Sequence, residues 1–205
     1  MTSRPLGEFI ERMDQLVADD REPVAIAELA AASLADALRE PVVLEPQHRQ
    51  PGRDSYRQHV LHVNPRGRYS VLSLVWAPGQ ATPIHDHQCW CVVGVLQGQE
   101  RENRYHLLAD GDKEWLLLTE SSTAPPGTVS VLVPPAENIH RVENAADELT
   151  ISIHVYGTDI GEVGSSINQV FDLPVLAILP PEAERVEWRD TRARADARAA
   201  SLNAA

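Results

Sequence analysis

Apolar residues recur every three or four positions at the start of the chain and every second position through most of the remainder. Leu6, Phe9, Ile10, Met13, Leu16 and Val17 form a stripe that predicts an amphipathic helix over 5–20. Pro23 sits where a second helix would begin. Ile26, Leu29, Ala30, Leu34, Ala37 and Leu38 then continue one face until Pro41 stops it. Neither stripe carries reactive chemistry, so both helices are expected to cap or flank a sheet. From residue 56 the period shortens: YRQHVLHV, RYSVLSLVWA, CVVGVLQG, RYHLLAD, EWLLLTE, TVSVLVPP, HRVENA and LTISIHVYG read as strands. Turn signals separate them at 64–67 (NPRG), 78–80 (PGQ), 110–113 (DGDK) and 125–127 (PPG). Short strands at this spacing predict an antiparallel sandwich or barrel over about 54–160. After Gly157 the pattern weakens. Residues 158–181 read as a connector, with DLPVLAILPP packing on the outside, and the Ala/Arg/Glu-rich tail 182–205 reads as helical or disordered. The expected organisation is one domain over 1–181, with its helices in 1–45, followed by that tail.

Composition narrows the partners. A formal charge of −12 argues against nucleic acid and against an anionic membrane surface, both of which attract basic patches. The N-terminal stretch has early acids and no long apolar run, so neither a signal peptide nor a membrane span is expected. The two cysteines, Cys89 and Cys91, are too close on one strand to bridge each other easily, which excludes a disulfide framework. A reducing cytoplasm is the expected compartment. No feature assigns an oligomeric state.

The chemistry concentrates in 79–98, GQATPIHDHQCWCVVGVLQG. On a strand, His85 and His87 share a face and Asp86 points the other way, so the pair suits a metal while Asp86 is excluded as a third ligand. Parity places Cys89 and Cys91 on the histidines' face unless a turn near Gln88 resets it, and turns Trp90 outward against the helices. The run Ser152-X-His154-X-Tyr156 likewise shares one strand face. A histidine pair of this kind also occurs as ordinary packed or surface residues, and a polar strand face as a solvated one.

The spacing of Gly79, His85, His87, Cys91 and Gly98 resembles the first motif of the cupin superfamily, with Cys91 where a glutamate ligand usually stands. Gly127 through His140 and Asn144 resembles the second motif more loosely. A cupin that lacks the glutamate, keeps three histidines and carries Ser-X-His-X-Tyr resembles the cysteine dioxygenase family of thiol dioxygenases over 56–160. That resemblance implies an all-β cupin barrel (a double-stranded β-helix or jelly roll) behind two N-terminal helices. It implies one Fe(II) per chain on His85, His87 and His140, although histidine triads also bind zinc. It also implies a small thiol substrate and O2, both oxygen atoms ending on sulfur as a sulfinate with no external reductant. Three neutral ligands leave the cation its full charge, which favours a substrate thiolate.

The family's Ser-His-Tyr relay maps onto Ser152, His154 and Tyr156. Cys91 stands where some members carry a cysteine thioether-linked to that tyrosine; a buried cysteine acting as a small hydrophobe is the alternative. Members specific for cysteine place an arginine after a tyrosine at Tyr-X-Arg. Here the run is Tyr56-Arg57-Gln58, and Gln58 resembles members that prefer 3-mercaptopropionate. An amide holds a carboxylate less firmly than a bidentate guanidinium. Arg57 would face inward only after a one-residue register shift, and L-cysteine stays open. The competing readings are a different metal-dependent cupin enzyme and a non-catalytic, metal-binding cupin that binds a ligand or regulates.

Overall fold

The computed structural model describes residues 3–19, 21–135, 138–177 and 187–188. Two helices come first: α1 (Arg4–Leu16) and α2 (Pro23–Leu38), each with proline in its first turn, where a missing N–H costs nothing. The first helix ends about one turn short of the predicted 5–20, because Val17, the last residue of the apolar stripe, already closes it as C-cap. The first half of the sheet region holds β1 (Arg57–Val63), β2 (Ser70–Trp76), β3 (His85–His87), β4 (Cys91–Gln97), β5 (Glu100–Asp110) and β6 (Lys113–Ala124). The second half holds β7 (Val129–Leu132), β8 (Ile139–Asn144), β9 (Thr150–Tyr156), a short α3 (Ile160–Val163), β10 (Ile167–Val170) and β11 (Val175–Leu176). Among the described residues no helix is long and apolar enough to cross a membrane.

The strands pair as one long hairpin wound up on itself. At its tip β5 pairs with β6; behind it β4 pairs with β7, β3 with β8 and β2 with β9, all antiparallel. Winding distributes them over two sheets, ordered β1-β2-β9-β4-β7 and β10-β3-β8-β5-β6-β11. That is a jelly roll, which meets the antiparallel sandwich or barrel expected from the strand rhythm and the cupin barrel that the motif resemblance implies.

Both helices cover the outside of the first sheet, so β2 and β9 are buried on both faces. Val71, Val75, Val92, Ile151, Ile153 and Val155 pack outward against Leu6, Phe9, Met13, Ala27, Ala30 and Leu34, and Trp90 joins this layer as parity predicted. The alternate residues, including Leu72, Leu74, Trp76, Cys91, Val93 and Tyr156, face the barrel interior. At Gly94 a Cβ would stand 2.8 Å from Leu34 Cδ2, so the missing side chain lets α2 lie close on β4.

Two sequence expectations change here. Of the expected connector 158–181, the described part, 158–177, is not a plain linker: β10 pairs with the edge of β3, and β11 runs parallel to β6. The Asp86 carboxylate, on the back of β3, accepts hydrogen bonds from Gln169 N at 2.7 Å and from Asn168 Nδ2 at 3.2 Å. No apolar periodicity announces that strand, because a polar clamp holds it. Of the tail, only Glu187–Trp188 fall among the described residues, as a two-residue strand beside β5; the rest of that expectation lies outside them.

Leu34→Ala should cost about 2–5 kcal/mol in chemical denaturation, since Leu34 is 1% exposed between α2 and the sheet. Metal affinity of the folded fraction should be unchanged.

Candidate metal centre

His85 and His87 reach the barrel interior from β3, and His140 from β8, its antiparallel partner, where His85 and His140 stand directly opposite. Their Nε2 atoms converge: His85 to His87 is 3.1 Å and His87 to His140 is 3.0 Å. All three rings are at most 4% exposed. Their surroundings fix the tautomers. His85 Nδ1 lies 3.0 Å from the Pro83 carbonyl, and His140 Nδ1 lies 2.8 Å from the Glu102 carboxylate. Both neighbours can only accept, so both rings carry their proton on Nδ1 and turn a bare Nε2 lone pair inward. One proton on His87 could satisfy only one of those lone pairs.

A cation satisfies all of them. Ligands about 2.1 Å from one ion and at right angles to each other are about 3.0 Å apart, which is the observed spacing. Two of the imidazoles, His85 and His87, are also held in the neutral, ligating form. Burial, then the neighbouring His140 ring, pushes His85 down to about 3; burial and three nearby imidazoles hold His87 well below its usual value. Glu102 stays ionised behind His140. Burial alone would raise its pKa, but the hydrogen bond from His140 and the Arg104 guanidinium at 3.2 Å bring it below the usual carboxylate value. A carboxylate behind a ligating histidine fixes its orientation and raises its basicity.

The cavity in front of the histidines encloses about 430 Å³, part of it open to solvent. Tyr56, Gln58, Trp76, Cys91, His154, Tyr156, Ser165 and Ser166 are among its walls, with no arginine, lysine, aspartate or glutamate among the described lining residues. On β9, Tyr156 OH is 3.0 Å from His154 Nδ1, and His154 Nε2 is 3.0 Å from Ser152 Oγ. The whole strand is buried, which removes the solvated-face alternative. Burial, before the adjacent Cys91, keeps the Tyr156 phenol well above its ordinary pKa, against a hydrogen bond with Ser166. His154 is pushed down to about 3, mainly by burial and then by His140 and His85. The Tyr156 ring centroid lies 6.0 Å from that of His87, which sets the phenol beside the metal cradle.

Cys91 lines the cavity directly opposite Tyr156 in the β4–β9 register. Cys89 does not line it, because a bend at 88–89 breaks the strand between the histidines and Cys91. At the mouth, Gln58 shares a face with Tyr56, which stacks on Trp76 at 4.4 Å and hydrogen-bonds Gln58. The register shift in β1 falls between Val60 and His62, beyond Arg57. Arg57 therefore keeps its outward parity, stays exposed and is absent from the cavity wall, which corrects its inclusion as an inward alternative to Gln58.

Four participants escape sequence reasoning. Glu102 and Glu100 precede the apolar run that marks β5, although their own alternation extends it. Ser165 and Ser166 belong to the segment whose pattern reads as a connector.

A family model described as cysteine dioxygenase type I matches residues 45–163, more than half of the chain. Cysteine dioxygenase type 1 of Danio rerio is 29% identical over 99 residues, covering 44% of this chain and 45% of the relative. The match thus spans less than half the length of that relative. Among solved structures, a protein from Klebsiella pneumoniae with a double-stranded beta-helix domain is 16% identical, covering 58% of this chain and 92% of that one at a TM-score of 0.44. The cupin domain of Schizosaccharomyces pombe Cnp3 is 13% identical, covering 60% and 80% at a TM-score of 0.42. The strand pairing, not these two likenesses, establishes the fold.

Glu102→Gln should leave the fold intact and weaken metal binding about 10–100-fold in a competition titration against a chelator. His140→Ala should abolish it. Full metal retention in the latter would remove His140 from the ligand set.

Proposed function

Because the chain belongs to the cysteine dioxygenase type I family, we propose that it is a thiol dioxygenase holding one Fe(II) on His85, His87 and His140. Its substrate would be a small thiol carboxylate, 3-mercaptopropionate in preference to L-cysteine. The observation that carries the reading is the convergence of three buried Nε2 atoms beside the Tyr156 phenol in one cavity. Bound iron would supply the redox chemistry that joins both atoms of O2 to the sulfur.

The chain's own residues bind, orient and handle protons. Gln58 offers its amide N–H to the substrate carboxylate at the mouth of the cavity, with Tyr56 hydrogen-bonded beside it. The preference against cysteine follows from charge. An α-ammonium entering this cavity meets no carboxylate among the described lining residues, so its lost hydration goes largely uncompensated. 3-Mercaptopropionate has no such group to desolvate. Tyr156 stays a neutral phenol, able to donate to or accept from the reacting groups, with His154 and Ser152 behind it.

Cys91 is not a ligand in this reading. Burial, then nearby Cys89, Glu102 and Glu100, keeps its thiol protonated. Its place opposite Tyr156 supports a thioether between the two side chains, formed with loss of two hydrogen atoms to O2.

Oxygen uptake after anaerobic loading with ferrous iron, measured with both thiols, tests the activity. kcat/KM should favour 3-mercaptopropionate at least about tenfold, or roughly 1.4 kcal/mol. Uptake with neither thiol sinks the dioxygenase reading, and a ratio favouring cysteine overturns the role of Gln58. Tyr156→Phe should keep its iron and turn over slowly. Intact mass of aerobically turned-over protein should be lower by about two hydrogens, with fewer than two free thiols; an unchanged mass excludes the crosslink.

A further inference from the structure

Behind the Tyr156–His154–Ser152 line lies a buried acid that the proposed chemistry leaves unused. Glu100 opens β5 at 3% exposure, and Ser152 and Trp76 are the polar side chains beside its carboxyl. Ser152 Oγ thus has three polar neighbours: Trp76 Nε1 at 3.2 Å, His154 Nε2 at 3.0 Å, and Glu100. A hydroxyl has one proton to give and two lone pairs with which to accept. The indole N–H can only donate, so it takes one lone pair. The remaining lone pair and the proton are divided between Glu100 and His154. When one of them accepts from Ser152, the other must donate to it.

We propose that Glu100 is a positioning residue, the distal end of a proton relay whose charge state sets the tautomer of His154 and the direction of the Tyr156 hydroxyl. With Glu100 ionised, Ser152 donates to it and accepts from His154 Nε2–H. His154 Nδ1 then accepts from Tyr156, which offers only oxygen lone pairs to the cavity. With Glu100 protonated, every bond reverses. Glu100 donates to Ser152, Ser152 to His154 Nε2, and His154 Nδ1–H to Tyr156, whose O–H is free to donate into the cavity.

The two states differ by one proton. It enters at Tyr156, which passes its own to His154 Nδ1; His154 passes its Nε2 proton to Ser152, and Ser152 passes one to Glu100. No side chain but Glu100 changes charge. A thiol that binds as a thiolate gives up one such proton within the same cavity, and Glu100 is where the relay stores it.

The surroundings of Glu100 suit a group that changes charge near neutrality. Its Oε1 has no hydrogen-bond partner among the described residues, so the ionised form is poorly solvated. Burial pushes the carboxyl up to about 7; Glu102 on the same strand adds to this, and the nearby Ser152 and Trp76 side chains oppose it. The buried Cys91 thiol also feels Glu100, from β4. The paired strands place the uncharged Asn144 and Ala124 opposite it.

The inference rests on the proposed dioxygenase only for the use of the proton; the tautomer can be read without turnover. In the full chain labelled with ¹⁵N-histidine and loaded with diamagnetic zinc, two-bond ¹⁵N–¹H spectra report which His154 nitrogen is protonated. Across about two pH units centred near 7, the Nδ1-protonated fraction should fall from about nine-tenths to about one-tenth. Glu100→Gln should hold one tautomer ratio throughout and lose the matching limb of the kcat/KM profile. A wild-type ratio that does not change with pH overturns the proposal, whether or not the variant folds. A switch that persists in Glu100→Gln also overturns it. Failure to bind zinc would instead count against the metal centre, and the same titration on the metal-free chain would still decide the role of Glu100.

Discussion

Strand alternation under double burial is the constraint on which this molecule depends. The first sheet has helices on its outer face and the cavity on its inner face, so no residue of β2 or β9 reaches bulk water. Each must therefore suit one of two environments, and the period of two deals them out. Ile151, Ile153 and Val155 face the helices, while Ser152, His154 and Tyr156 face the cavity. Every polar group on that inner face needs a partner there, because an unpaired one would cost about 1–3 kcal/mol. The hydrogen-bonded line from Tyr156 through His154 and Ser152 to the Trp76 indole answers that requirement as well as serving chemistry.

The same double burial shapes the electrostatics. The described cavity wall carries no lysine, arginine or carboxylate; Glu102 stands behind His140 and Asp86 points to the back of β3, neither of them in front of the ligands. A cation on the three histidines would then be the dominant charge that an entering anion meets. Burial holds His85, His87 and His154 unprotonated, so the centre does not compete with itself for protons at neutral pH.

Much of this is legible in the sequence because it rests on short-range periodicity. The helices, eight of the strands, the shared face of His85 and His87, and the shared face of Ser152, His154 and Tyr156 all follow from spacing alone. His140 joins them through motif resemblance, since no periodicity links it to residues more than fifty positions away. The hidden features depend on partners distant in sequence. Glu102 reads as a surface acid until β8 brings His140 to it, and Glu100 until Ser152 and Trp76 meet it. Asn168 and Gln169 look like linker residues until Asp86 receives them. Arg57 has two possible directions in the sequence because local pattern cannot locate the register shift that decides between them.

The wound hairpin has a kinetic consequence. Its tip, β5 with β6, joins residues adjacent in the chain, whereas β2 and β9 join residues some eighty positions apart. Contacts of such long separation bear the largest loop-closure cost and slow folding. Closure at the tip can precede the rest, but His140 meets His85 and His87 only once the winding brings β8 against β3. The metal cradle is therefore a late product of folding instead of its nucleus. An ion that binds the finished triad slows unfolding by holding together the two strands whose encounter came late.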